Sequence, residues 1–386
     1  MARMRDTDAC PGALQVHRAA DGALARIRLP GGMLTAAQLG ALARVSSEHG
    51  SGTLELTARG NVQLRGITEV SAAAEAIANA GLLPSATHER VRNIVSSPLA
   101  GRAGGAVDVR PWVADLDAAI CAEPSLVELG GRFWFSFDDG RADVSGLCAD
   151  VGVHALCDGW ALLLAGRDTG LRLTAGEVIE TLLSIATRFA TTRGSAWRVN
   201  ELDDVESLLP GAELGAVAYP AITRPPVGWI DQDWPGQEGR VALGAAVPLG
   251  VLSASVAEYL AAIEAPLVIT PWRSVLVCDL DEGLADVALR VLAPLGLVFD
   301  ENSPWLDVSA CTGSPGCAHS LADVRADAAA AVGADAGRHR HFVGCDRACG
   351  SPLIGEVLLA TGHGYRQLRG DRQRGEAGRS GSPPEP

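Results

Sequence analysis

One pattern occurs twice in this chain, and it limits the folds available more than any other feature. In "ALARIRLPGGMLTAAQLGALARVSSEHGSGTLELTARGNVQLRGI", polar and apolar residues alternate from Ala25 to Leu29 and the chain turns at Pro30-Gly31-Gly32. Helical spacing then runs through Leu34, Leu39, Leu42 and Val45, and a second alternating strand, Thr53 to Arg65, closes a β-α-β unit. Far along the chain, "GRVALGAAVPLGVLSASVAEYLAAIEAPLVITPWRSVLVCDL" repeats the order: a strand, a Pro-Leu-Gly turn before Val251-Leu252-Ser253, a helix, and a strand at Leu267 to Cys278. Thr57 of the first copy aligns with Thr270 of the second. Solenoid repeats recur every ~20 to 50 residues, so copies this far apart predict a duplicated two-domain module instead. Each half is then a small β-α-β element followed by a larger α/β domain.

The expected architecture is α+β. Small β-α-β elements lie at 14–80 and 236–290, larger α/β domains lie at 85–215 and 291–368, and residues 369–386 form a tail with no apolar period, expected to be disordered. "TAGEVIETLLSIATRFATTRG" reads as an amphipathic helix and "RPPVGWIDQDWPGQEG" as a Pro/Gly/Trp linker. The longest uncharged run, Val241 to Ala257, is broken by Pro248 and Gly250 and is too short to span a bilayer.

Charge narrows the partners. The 32 basic residues face 46 acidic ones, a formal net charge of -14, which argues against general affinity for nucleic acid or anionic membranes. Every basic residue is arginine, which excludes Schiff-base chemistry and a P-loop lysine. Nine cysteines, with Cys10, Cys121, Cys148, Cys157 and Cys278 scattered, and no basic-then-apolar leader predict a cytoplasmic protein with metal-bound thiols.

The other four cysteines lie in two loops rich in glycine. "CTGSPGCAHS" holds Cys311 and Cys317, and "HFVGCDRACGSP" holds Cys345 and Cys349. Short Gly/Pro loops let paired thiolates converge while backbone N–H groups point at sulfur, as a [4Fe-4S] cubane requires. A four-cysteine zinc site is the alternative, but zinc pairs sit ~2 to 4 residues apart. A helix is expected just after Cys317, with its positive end toward an anionic cluster.

Together with the duplicated halves and "LTARGNVQLRG", the paired cysteine loops resemble the nitrite/sulfite reductase superfamily from about Leu14 to Gln367. The resemblance implies that the two β-α-β units join as one ferredoxin-like domain and that the cluster adjoins a tetrapyrrole. Arg59 in "LTARGNVQ" and Arg92 in "ERVRNIV" match arginines that those reductases aim at substrate and sirohaem. Where the reductases carry a pair of lysines, "GRFWFSF" has Arg132 and Trp134. "LPGGMLTAAQL" and "LTARGNVQLRGI" more closely resemble the precorrin-3B synthase family of oxygen-dependent cobalamin synthesis. That likeness implies a monooxygenase in which the cluster passes electrons, a mononuclear non-haem iron activates O2, and precorrin-3A is the substrate; the alternative is a sirohaem-dependent sulfite or nitrite reductase.

Guanidinium forks suit the acetate and propionate arms of such a macrocycle. Arg59, Arg65, Arg92 and Arg132 lie on predicted strands or their edges and are expected to face one cleft. Asn61 and Gln63 are expected to hydrogen-bond ring substituents. The competing reading for Arg65 is a solvated charge, and for the two amides the wet face of a strand. A facial triad needs two histidines and a carboxylate; His88, His154, His319, His339 and His341 form no pair that stands out, and each is expected to be structural or solvated. No GxGxxG follows a strand, so a ferredoxin or an NADH-dependent reductase is expected to deliver the electrons.

Overall fold

The computed structural model describes residues 8, 10–211, 219–334 and 337–370. The chain divides into two compact units at Ser303/Pro304. The tail expected to be disordered lies outside the described residues from 371 onward.

In the first unit, β1 (His17–Ala19), β2 (Gly22–Ile27), β3 (Met33–Leu34), α1 (Ala36–His49), β4 (Thr53–Leu56), β5 (Val62–Ile67) and α2 (Val70–Asn79) form the first copy of the repeat. α1 starts on a capping box: Thr35 accepts from Gln38 N and the Gln38 side chain answers Thr35 N. Next come β6 (Ile94–Ser96), α3 (Arg110–Ala122), β7 (Phe135–Asp138), β8 (Val151–Leu156), β9 (Gly159–Leu164), β10 (Arg167–Leu173) and α4 (Val178–Thr192). The second copy comprises β11 (Gly228–Gln232), β12 (Arg240–Ala246), β13 (Val251–Ser253), α5 (Ala254–Ala261), β14 (Leu267–Ile269), β15 (Ser274–Asp281) and α6 (Glu282–Leu292). No helix among the described residues is long and apolar enough to cross a membrane.

The two copies build two antiparallel sheets, ordered β1-β2-β5-β4-β13 and β11-β12-β15-β14-β3. Each copy thus sends the short strand after its Pro/Gly turn to the edge of the other copy's sheet: Val268 pairs with Met33, and Leu252 with Leu54. One core serves both, with Leu39, Leu42, Leu54 and Leu64 of the first copy packed with Leu243, Leu260, Leu267 and Val277 of the second. Burying such a side chain contributes about 1.5–3 kcal/mol.

Three sequence expectations change here. The strand expected from Thr53 to Arg65 is a hairpin, because Gly60 takes φ +65 and Thr57 N bonds Asn61 O across the turn. The strand expected at Leu267 to Cys278 is likewise two strands joined by a tight turn at Thr270–Arg273. Part of the expected linker, Gly228–Gln232, is β11, which pairs along its whole length with β12.

The first α/β sheet has the order β10-β9-β8-β7-β6, with β6, β7 and β8 parallel, and α3 and α4 pack on it through Val113, Leu116, Leu182 and Phe189. The second unit contains β16 (Val308–Ala310), α7 (Val324–Ala330), β17 (Arg340–Val343), β18 (Glu356–Thr361) and β19 (Gly364–Arg369). Its sheet, β16-β17-β18-β19, again has three parallel strands followed by an antiparallel one. This unit begins at Pro304 rather than near 291, since Leu292, Leu297 and Phe299 pack on the ferredoxin-like core and Val298 bridges Ala246.

Candidate functional site

The hairpin tip between β4 and β5 presents Arg59. Thr57 Oγ1 accepts from Arg59 N at 3.4 Å and Asn61 N at 3.1 Å, and an added Cβ at Gly60 would press on Ile269 O and Gly32, so the turn is fixed from both sides. Asn61 is fully committed. Its Oδ1 accepts from Leu29 N (2.9 Å) and its Nδ2 donates to Asn93 Oδ1 (3.2 Å), while Asn93 Nδ2 reaches the carbonyls of Arg90, Gly131 and Phe133 at 3.1 Å. This buried amide ladder ties the hairpin to the segment that enters β7.

Arg59 Nη1 donates to Gly131 O (3.3 Å), and its guanidinium carbon lies 5.7 Å from the centroid of the Trp134 ring. Arg198 stands 5.8 Å from the same ring. Asp150 holds Arg198 through Nε at 2.8 and 2.7 Å, and also accepts from Val199 N (2.7 Å) and Trp134 N (3.0 Å). Burial pushes the Asp150 carboxyl up, opposed by Arg198 and these N–H donors. Burial first, and Arg198 second, lower the pKa of Arg59 to about 9. The Trp134 indole N–H is buried with no hydrogen-bond partner among the described residues.

Beside this lies a second arginine pair, Arg26 on β2 and Arg28 just past its end. Arg26 Nη1 and Arg28 Nη2 donate to Cys10 Sγ at 3.4 and 3.3 Å, and the thiol donates to Gly131 O at 3.3 Å. Burial lowers Arg28 to about 10, with Cys10 pulling the other way. Arg26 Nη2 also bonds Gln63 Oε1 (2.7 Å), whose Nε2 donates to Glu55 (2.7 Å).

Of the six polar residues expected to bind a substrate, the structure brings Arg59, Asn61 and Gln63 into this network. Asn61 and Gln63 are buried rather than on a wet strand face. Arg65 is buried and paired through two nitrogens with Asp21 (2.8 and 2.9 Å), and Arg92 with Asp117 (2.7 and 2.6 Å). Arg132 is exposed in the turn before β7. Two of the four arginines thus already have carboxylates of their own. Sequence reading missed Arg26, Arg28, Cys10, Asp150 and Arg198; the Arg-x-Arg alternation in an otherwise apolar strand was a visible signal, whereas Arg198 had none.

In the second unit, Cys311 follows β16, Cys317 ends the Gly/Pro turn, and Cys345 and Cys349 lie in the loop after β17. Gly344 N donates to Cys311 Sγ (3.4 Å), and an added Cβ at Gly344 would overlap Ser320 Oγ. Burial, then the Cys311, Cys345 and Cys317 thiols, raise Cys349, so the four form one electrostatic neighbourhood. Among the described residues, three metal-ligand atoms come within 4.8 Å of one another only at Asp138, Asp139 and Asp143. A single zinc at Zn–S ≈ 2.3 Å would need thiols about 3.8 Å apart, closer than any three of these sulfurs come; an N–H aimed at sulfur is the kind of donor that an iron–sulfur cluster uses. The helix expected just after Cys317 starts later: α7 begins at Val324, capped by Asp323, and turns at 314–316 and 318–319 precede it. His319 is exposed; His339 and His341 both bond Ser309 Oγ at 2.8 Å, and His341 Nε2 contacts Cys349 O (3.0 Å).

The acidic trio does not suit a facial-triad iron. Asp138 accepts from the N–H groups of Ala142, Val144 and Ser145 and from Ser145 Oγ, Asp139 pairs with Arg141 (2.6 Å), and Asp143 accepts from Ser97 Oγ (2.6 Å). His154 Nδ1, 3.3 Å from Asp138, supplies one imidazole where the triad needs two. His88 bonds Glu123 O and the Ser85 and Thr87 hydroxyls, a structural role.

Known proteins share this architecture. The chain is similar to a precorrin-3B synthase of Sinorhizobium sp, 28% identical over 91% of this chain and 80% of that protein. It is also similar to the ferredoxin–nitrite reductase of Synechococcus elongatus, 25% identical over 87% and 75%. The solved Mycobacterium tuberculosis NirA protein shares the fold, with a TM-score of 0.73 at 21% identity, covering 90% of this chain and 77% of that one. Residues 16–79 match the nitrite/sulfite reductase ferredoxin-like half domain, and the likeness to the precorrin-3B synthase and the nitrite reductase extends along most of the chain.

Proposed function

We propose that this chain is a precorrin-3B synthase, which hydroxylates precorrin-3A at C20 with O2 and closes a γ-lactone from the ring A acetate. The observation that carries the reading is Trp134. A six-electron reduction of nitrite or sulfite calls for repeated proton delivery beside an oxyanion. An indole flanked by Arg59 and Arg198 supplies no titratable proton, whereas the guanidinium forks suit the carboxylates of a macrocycle. The likeness to the Sinorhizobium protein over 91% of the chain supports the same reading.

In this reading Arg59 binds a substrate carboxylate, while Asn61 and Gln63 hold the hairpin and Arg26 in place. Arg65 and Arg92 brace the walls through Asp21 and Asp117, and Arg132 serves an outer carboxylate arm. Cys311, Cys317, Cys345 and Cys349 would hold a [4Fe-4S] cluster, which passes single electrons from an external ferredoxin or NADH-dependent reductase. One oxygen atom of O2 enters the product and the other leaves as water, taking two electrons and two protons. The cytoplasm is the compartment that keeps such thiols reduced.

Anaerobically reconstituted protein given precorrin-3A, reductant and 18O2 is expected to yield a product carrying one labelled oxygen; product without label, or none, overturns the reading. The nitrite reductase relatives favour a second reading, sirohaem-dependent reduction of nitrite or sulfite. A Soret band that follows the purified protein, with six-electron turnover of either anion, would establish it.

A further inference from the structure

Trp134, Arg59 and Arg198 leave several donors without acceptors. The Trp134 side chain is 4% exposed and its indole N–H has no partner among the described residues. Arg198 spends Nε and Nη2 on Asp150 and Cys148 O, leaving Nη1; Arg59 spends Nη1 on Gly131 O, leaving Nε and Nη2. Two guanidinium charges, those of Arg59 and Arg198, stand beside the carboxylate of Asp150. A buried N–H with no acceptor is destabilising, and the Arg198 charge adds to burial, the larger cause, in lowering the pKa of Arg59 to about 9. A ligand carboxylate relieves both, because it accepts from the indole and pairs with either fork.

We infer that Trp134, Arg59 and Arg198 form a carboxylate subsite, in which the indole N–H donates to one ligand oxygen and the two guanidiniums neutralise the group. Asp150 acts as a positioning residue that fixes Arg198 and the Trp134 backbone. The inference names residues for one arm of the substrate and rests on the reading above for the rest of that molecule. The donor set itself requires only a carboxylate, so the subsite and the macrocycle are separable by experiment.

Protein labelled with 15N at tryptophan, its Trp134 indole resonance assigned by Trp134→Phe, is titrated with succinate and, separately, with uroporphyrin. Succinate is expected to move the Trp134 indole proton downfield, with affinity falling about tenfold in Arg59→Gln. Arg198→Gln is expected to do the same if it folds, while Arg59→Gln, which gives up one backbone bond, keeps the test decisive. An unmoved resonance at saturating succinate, or unchanged affinity in Arg59→Gln, overturns the subsite. A shift with succinate but no uroporphyrin binding upholds the subsite and counts against the tetrapyrrole reading; uroporphyrin binding with a still indole does the reverse.

Discussion

The two α/β sheets carry the same device with opposite chemistry. Beyond β6, Ser97 N bonds Phe137 O (3.0 Å) and Ser97 Oγ accepts from Asp139 N (3.1 Å); beyond β16, Cys311 N bonds Phe342 O (2.9 Å) and Cys311 Sγ accepts from Gly344 N (3.4 Å). Ser97 and Cys311 occupy one structural position. The first sheet surrounds it with Asp138, Asp139, Asp143 and Arg141 and satisfies every carboxylate internally, whereas the second surrounds it with three more thiols and little else. One scaffold thus makes a closed ion-pair network in one place and an open ligand set in the other, and the residue following the parallel strand decides which.

The largest effect is expected from Cys311→Ser, which converts the second device into the first. Iron and acid-labile sulfide should fall at least about tenfold, since a hydroxyl is a poor ligand for an iron–sulfur cluster. The reciprocal Ser97→Cys should leave iron content unchanged, and a gain of iron would break the comparison. Gly344→Ala adds the Cβ that Asp139 carries in the first sheet. Its overlap with Ser320 should cost about 1–3 kcal/mol, read as a lowered melting temperature.

A smaller effect concerns Asp143, whose pKa is raised to about 7 by burial and then by Asp138. The native state therefore keeps a proton that the unfolded chain releases near the ordinary aspartate value of 3.8, so stability falls as pH rises between the two. Asp143→Asn should remove that slope and stabilise the protein above pH 7 by on the order of 2 kcal/mol; melting curves with unchanged pH dependence would refute it.

The duplication, the helices and the correspondence of the larger domains were legible in the sequence because hydrophobic period is a local property. The hairpin tips were not, since "TARGN" and "TPWRS" keep a strand-like alternation through the turn; only the left-handed Gly60 and Arg273, and the Thr57 and Thr270 hydroxyls, fold them back. Of the exchanged strands, β13 was set apart in the sequence only as the segment after a turn, and Leu34 of β3 was read into the helix, because the partners of both strands lie in the other copy. At the site, Arg59 was readable from its motif. Arg198 was not, because its value comes from Asp150, 48 residues away. Arg92 and Arg65 carried the right chemistry, but Asp117 and Asp21 reach them first.

The exchange of edge strands has a consequence for ancestry. Two copies, each lending its β-edge to the other around a shared core, have the isologous pattern of a two-fold homodimer written into one polypeptide. A half of this length, taken alone, would leave its sheet edge and half of this core uncovered unless it paired with a second copy. Arg59 and Trp272 stand at matching places on the two hairpin tips, a cation on one and an aromatic ring on the other.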